Sequence, residues 1–155
     1  SAALHKDFVE MGMHNSLGKP GKAVMLGTKV DLKTVDTDTY AVAGIADHIC
    51  PWSAVYGTTQ LLGGDVKFAL SSSGHVAAII NPPGNPKAKF RVADDNPKTA
   101  EEWLKSATAV QGSWWPDFSA WAAKRGGGKV AAPTELGSET FKPIGPAPGK
   151  YISED

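Results

Sequence analysis

A chain of 155 residues with 41% hydrophobic and 21% charged side chains holds enough apolar material for one globular domain with its own core. Sixteen basic residues offset sixteen acidic ones, so no long-range field draws in a polyanion, and nucleic-acid binding is not expected. A single cysteine excludes an internal disulfide framework and suits a reducing compartment, and the aliphatic run Val76 to Ile80 falls far short of the roughly 18 residues a membrane-spanning helix needs.

Leu4, Phe8, Val9 and Met11 recur at helical spacing and predict a short amphipathic helix that Gly12 weakens. Ser1 to Phe8 lacks a basic start followed by an apolar block, so no secretory leader is read there. Gly18-Lys19-Pro20-Gly21 signals a turn. Val24-Met25-Leu26 and Val30-Asp31-Leu32, on either side of Gly27-Thr28-Lys29, predict a small hairpin that completes a lead-in over residues 1–38.

Thr39 to Gly44 is β-branched or small and almost unbroken in apolarity, the pattern of a buried parallel strand. Pro51 stands where a first helical residue would. Trp52, Val55, Tyr56, Thr59 and Leu62 then recur at three and four, until Gly63-Gly64 ends the helix. Val66 to Leu70 predicts a second strand. Ser71-Ser72-Ser73-Gly74 is a flexible connection that delivers His75 to a short apolar segment closed by Asn81-Pro82-Pro83. Residues 39–83 therefore read as the α/β core of the chain, a parallel sheet with flanking helices.

Gly84 to Asn96 reads as a loop. Thr99 with Glu102 three residues later forms a capping-box pattern for a helix carrying Trp103, Leu104 and Ala107. Pro116 opens a second short helix with Phe118, Trp121 and Ala122 on one face, and Gly126-Gly127-Gly128 stops it, so residues 84–128 form a tryptophan-rich helical region. Proline and glycine dominate residues 129–155, which predicts an extended tail lying over the body.

Two residues in the core carry the chemistry. Strand, helix and strand in succession place the loops after both strands at one edge of the sheet, so Asp47, after the first strand, and His75, after the second, are expected to meet. Their 28-residue separation leaves room for one crossover helix and one strand. An aspartate followed by a histidine after a later strand is the order of acid and base in the α/β-hydrolase triad, whose nucleophile comes earlier in the chain. An aspartate can hold and charge-stabilise an imidazole, and an imidazole titrates near neutrality as a general base must. The bland readings are a helix cap for Asp47 and a turn residue for His75.

The remaining candidates are weaker. His48 reads as structural or as lining the site, and His5 and His14 have no partners at ligand spacing. No histidine, cysteine and carboxylate cluster follows a recognised interval, so no metal site is expected. Cys50, the only thiol, lies between Ile49 and Pro51, and proline has no amide hydrogen to stabilise an oxyanion. No Gly-x-[Ser/Cys]-x-Gly elbow occurs anywhere in the chain, and Cys50 reads as a buried, inert thiol. The tryptophans at 103, 114, 115 and 121 read as packing, or as the lining of a hydrophobic channel.

Four motifs in order carry a resemblance. These are Asp47-His48-Ile49-x-Pro51-Trp52; Ser73-Gly74-His75-Val76 with Asn81-Pro82-Pro83-Gly84-Asn85-Pro86-Lys87; Gly112-Ser113-Trp114-Trp115-Pro116; and Pro146-Ala147-Pro148-Gly149-Lys150-Tyr151. Together they resemble the C-terminal part of a poly(3-hydroxyalkanoate) synthase of the single-subunit type. The resemblance implies the C-terminal portion of an α/β-hydrolase fold, with a mainly parallel sheet. It also implies an acyltransferase that polymerises (R)-3-hydroxyacyl-coenzyme A into polyester with release of coenzyme A. In such an enzyme a cysteine on a nucleophile elbow carries the acyl group, and motif matching gives the histidine role to His75 and the aspartate role to Asp47. Coenzyme A enters as part of the substrate, so no cofactor is expected.

The resemblance further implies a homodimer through the full-length enzyme and a cytoplasmic location at the granule surface. The elbow of the family lies upstream of the matched region, so the chain by itself is expected to lack a complete triad and to be inactive. Gly12 stands where the family tends to carry an aromatic residue before the Asn15-x-Leu17 pair, and Ile45-Ala46 replaces a charged pair often seen before the aspartate. The competing reading from another class is a non-catalytic module that docks a polyester granule or a partner through the region between Trp103 and Trp121.

Overall fold

The computed structural model describes residues 1–153. The first helix, α1, covers Ala2–His14 and passes through Gly12 without a break. The Ser1 hydroxyl accepts from the Leu4 amide at its start, and Asn15 closes it in the left-handed conformation. No residue of α1 is buried. A two-stranded antiparallel hairpin follows, β1 (Ala23–Met25) and β2 (Thr28–Val30). Leu26 and Gly27 both take positive φ between them, at 48° and 79°, the tight turn whose twist matches the strands it joins.

The core is a four-stranded sheet in the order β3, β4, β5, β6, formed by Thr39–Gly44, Val66–Ser71, Lys89–Val92 and Thr108–Gln111. Strands β3 and β4 run parallel in the register Thr39 to Val66 through Gly44 to Ser71. Both other pairings are antiparallel, so the sheet is mixed and not mainly parallel as the sequence suggested. The difference comes from two strands of four residues that sequence pattern did not reveal. Lys89–Val92 falls inside the stretch read as a loop, and Thr108–Gln111 follows directly on a helix. Alternation over four residues is too brief a signal to stand out from proline-rich and lysine-rich surroundings.

The connection from β3 to β4 holds two short helical segments, α2 (Trp52–Tyr56) and α3 (Thr58–Leu61), broken at Gly57, where one helix was expected. Pro51 caps α2 from just outside it. Helix α4, Ala100–Ser106, starts with the expected capping box: Thr99 accepts from the Glu102 amide while the Glu102 carboxylate accepts from the Thr99 amide. Helix α5, Trp115–Ala123, has Pro116 in its first turn.

The two faces of the sheet are covered differently. Ala43, Phe68 and Leu70 face α2 and α4 and form the dry core with Tyr56, Ala100, Trp103 and Ala107. Trp103 is wholly buried, with its ring edge-to-face on Phe68 at 4.8 Å, and Phe68 meets Tyr56 in the same way at 5.2 Å. On the opposite face Tyr40 and Lys67, register partners on β3 and β4, both reach Asp117 of α5. The Tyr40 hydroxyl donates to Asp117 at 2.7 Å, and the Lys67 ammonium lies 2.7 and 2.8 Å from its two oxygens. Burial first, and then Asp117, push the Tyr40 phenol well above its ordinary range, so it remains a donor.

From Lys129 to Ile152 every residue is exposed, and Tyr151–Ser153 forms a single 3-10 turn. The last positions of that expected tail, 154 and 155, lie outside the described residues. No described helix is long and apolar enough to cross a membrane.

Candidate active site

The site lies where the segments following β3 and β4 come together. The parallel pairing continues past the strand ends, because the Ile45 amide donates to the Ser71 carbonyl at 2.9 Å and the Ala46 amide to the Ser73 carbonyl at 3.0 Å. This closeness depends on Gly44. A Cβ there would stand 2.7 Å from the Ala78 methyl and 2.8 Å from the Ser73 carbonyl oxygen, closer than any side chain permits. Ser73 itself has φ 147°, a region side chains rarely adopt, so the turn that delivers His75 stores local strain.

Asp47 then does two jobs with its two oxygens. Oδ1 accepts from the amides of Ile49 and Cys50, both at 2.9 Å, which closes the turn ahead of α2. Oδ2 lies 2.8 Å from Nδ1 of His75. The pairing with His75 is therefore met, whereas the helix-cap reading is not: α2 starts at Trp52 with Pro51 at its cap position, and the Asp47 bonds close the turn before it. The Cys50 amide above all, then the His75 imidazole and the Ile49 amide, hold the Asp47 carboxyl at about 2, against the opposing pull of burial.

Its side chain is only 8% exposed, whereas that of His75 is 43% exposed, so the acid is sheltered behind a base that faces outward. With Asp47 ionised, Nδ1 carries the proton and donates it to the carboxylate. That leaves Nε2 of His75 for a reacting group.

Cys50 differs from its sequence reading. It is exposed, not buried, because the residues around it form a turn at the edge of the sheet instead of a helix packed on the core. Ligand atoms of Asp47, Cys50 and His75 all lie within 4.8 Å of one another. Sequence spacing gave no sign of this cluster, since its third member arrives from a separate loop. His48 is exposed beside Asp47, and His14 turns back to the Glu10 carbonyl, 2.9 Å away on its own helix.

Three residues that the sequence marked only as packing or motif hold the His75 segment in place. The Trp114 indole donates to the Ala78 carbonyl at 2.9 Å and the Trp115 indole to the Ile79 carbonyl at 3.0 Å. The buried Ser113 hydroxyl donates to the Asn81 carbonyl and accepts from the Trp115 amide. Three neighbouring side chains thus grip three carbonyls of the turn that follows His75. The available signal was the Gly-Ser-Trp-Trp-Pro run itself, two indole donors placed side by side at the mouth of a helix. Beside them Ile79, Ile80, Phe118 and the two tryptophans line a shallow apolar depression of about 400 Å³. A larger one, about 690 Å³, lies between α1 and the hairpin and touches none of Asp47, Cys50 or His75.

No family model matches the chain. Individual proteins do. The chain is 46% identical over 154 residues to "Poly(3-hydroxyalkanoate) polymerase 2" of Ectopseudomonas oleovorans, an alignment covering 97% of the chain and 27% of that protein. It is 42% identical over 153 residues to "Poly(3-hydroxyalkanoate) polymerase 1" of the same organism, covering 99% of the chain and 27% of the relative. It is also 42% identical over 140 residues to "Poly(3-hydroxyalkanoate) polymerase subunit PhaC" of Cupriavidus necator, covering 90% and 24%. The chain therefore spans about a quarter of the length of the curated relatives it matches.

Proposed function

We propose that this chain, homologous along nearly its whole length to one segment of the poly(3-hydroxyalkanoate) polymerases, carries the acid and the base of an acyltransferase whose sulfur nucleophile belongs to another part of the parent polypeptide. The observation that carries this reading is the 2.8 Å contact between Asp47 and His75, with the ionised carboxylate sheltered and the imidazole exposed. The mixed sheet with flanking helices is compatible with an α/β fold, and its β3 and β4 ends supply this portion of an α/β-hydrolase-type site.

In the proposed cycle Nε2 of His75 takes the proton of the nucleophilic thiol, while Asp47 holds the ring and stabilises the imidazolium. The thiolate attacks the thioester carbonyl of an (R)-3-hydroxyacyl-coenzyme A, the acyl group moves to the enzyme sulfur, and coenzyme A leaves with the proton from His75. The same pair then accepts the proton of the incoming hydroxyl as its oxygen attacks the enzyme thioester; the acyl group moves to that oxygen, the enzyme thiolate leaves and takes the proton back from His75, and the polyester grows by one ester. Water must be kept from the thioester, or the chain would be hydrolysed. A homodimeric parent at the surface of a cytoplasmic polyester granule belongs to the same proposal.

The test uses the parent enzyme and a labelled substrate. His75→Ala and Asp47→Asn should each lower coenzyme A release by roughly 10²- to 10⁴-fold. The acyl adduct should map to a cysteine outside these 155 residues. Turnover by the 155-residue chain alone, or an adduct on Cys50, would overturn the reading.

One observation favours a second role. Ile79, Ile80 and Phe118 present exposed apolar surface beside the site, suited to a polyester surface. Binding of the chain to polymer, lost in Ile80→Asp and kept in His75→Ala, would support docking alongside catalysis.

A further inference from the structure

We infer that Asp47, Cys50 and His75 form a binding site for a zinc-type divalent cation. The three offer a carboxylate oxygen, a thiol sulfur and an imidazole nitrogen, each within 4.8 Å of the others. That donor set is the one borderline-soft ions take in preference to calcium or magnesium, which want oxygen alone.

Two features make the cluster more than a chance gathering. The first is its rigid frame. Asp47 and Cys50 come from one turn, locked because Asp47 Oδ1 accepts the amides of Ile49 and Cys50 itself. His75 comes from a turn held by the Ala46 amide on the Ser73 carbonyl and by the Trp114 and Trp115 indoles on the two carbonyls after it. The second is access. Cys50 is exposed and the His75 side chain is 43% exposed, so an ion reaches both without opening the core.

Tetrahedral zinc holds sulfur at about 2.3 Å and nitrogen at about 2.0 Å, which brings such donors to within roughly 3.5 Å of each other. The donors stand within 4.8 Å of one another without an ion, so binding requires the exposed Cys50 side chain to turn toward the pair. On binding, the Cys50 thiol gives its proton to solvent, and His75 loses its Nδ1 proton to solvent while Nε2 takes one up, so that Nδ1 and the Asp47 carboxylate can hold the ion. Three protein ligands leave a fourth position for water.

The inference stands apart from the polymerase reading, since it concerns binding alone. One consequence rests on that reading: an ion held here removes Asp47 and His75 from acid–base service, so the site is inhibitory.

The probe is Co²⁺ titrated into the 155-residue chain, followed by zinc competition. Saturable binding of one ion with intense near-ultraviolet absorption from a cobalt–thiolate bond is the expected result, abolished in Cys50→Ala and displaced by Zn²⁺. His75→Ala should weaken binding at least tenfold, and His48→Ala should leave it unchanged. Far-ultraviolet circular dichroism on each variant separates lost ligands from lost fold. Absence of saturable binding to the folded chain, or an unaltered cobalt spectrum in Cys50→Ala, would overturn the inference. Neither result would touch the roles proposed for Asp47 and His75 in the parent enzyme.

Discussion

Both faces of the sheet are covered by tryptophan-bearing helices, yet the two coverings work by different physics. On the α4 face Trp103 is fully buried, its ring packed on Phe68 and Tyr56, and its indole nitrogen finds no partner among the described residues. On the α5 face Trp114 and Trp115 are half-buried, and each spends its indole hydrogen on a carbonyl of the His75 segment. Burial is strong but has no direction. Hydrogen bonds contribute less, yet they fix where a chain segment sits. The first face accordingly holds the sheet together, and the second sets the position of the imidazole.

The widest separation between these roles comes from His75→Ala in the parent enzyme. Coenzyme A release should fall by roughly 10²- to 10⁴-fold, while the unfolding free energy in urea changes far less than in a core variant, since the side chain is 43% exposed and gives up one hydrogen bond, to Asp47. Trp103→Ala is the mirror image. Removing a wholly buried indole should cost about 3–5 kcal/mol of stability in chemical denaturation. A loss below about 1 kcal/mol would mean that the α4 face is not the main scaffold.

Gly44→Ala tests the seam between the faces. The added methyl group meets the Ser73 carbonyl and the Ala78 side chain, both at under 3 Å, and should cost about 1–3 kcal/mol. It should also separate Asp47 from His75, seen as a weakened hydrogen bond by nuclear magnetic resonance of the imidazole. Trp115→Phe keeps an aromatic ring but removes the indole donor to Ile79 together with part of the contact area. It should cost about 1 kcal/mol or less and lower activity more than stability; equal losses would make Trp115 simple packing.

The smallest effect is a titration. Asp47 holds its proton at about 2 against an ordinary 3.8, so its folded form is the more acidic one. Stability from this group is fully present above about pH 4 and is lost as pH falls toward 2. Asp47→Asn should flatten the acid limb of an unfolding profile in that window. Any activity change between pH 5 and 8 must then come from a group other than Asp47.

Local signals were reliable wherever a few adjacent residues decide the outcome. The Thr99 and Glu102 capping box, the Pro116 start of α5, and the helical spacing before His14 all describe interactions that close within one or two turns. The meeting of Asp47 and His75 was legible for a related reason: a parallel pair of strands joined by a short crossover places its two exits side by side. The break of the expected single helix at Gly57 was not, because the cost of a glycine inside a helical pattern is set against packing by residues far along the chain.

The amino-acid sequence by itself determined that a strand–helix–strand unit brings a carboxylate and an imidazole to neighbouring strand exits, and its motifs resemble those of the polyester synthases. Tertiary structure alone decided that two brief strands join the sheet antiparallel, that Cys50 stands in solvent within reach of the pair, and that Trp114 and Trp115 hold the turn beyond the base. The division follows the range of the forces involved. Caps, turns and periodic faces are settled between residues a few positions apart, whereas strand pairing, side-chain exposure and the destination of an indole hydrogen depend on partners dozens of residues away.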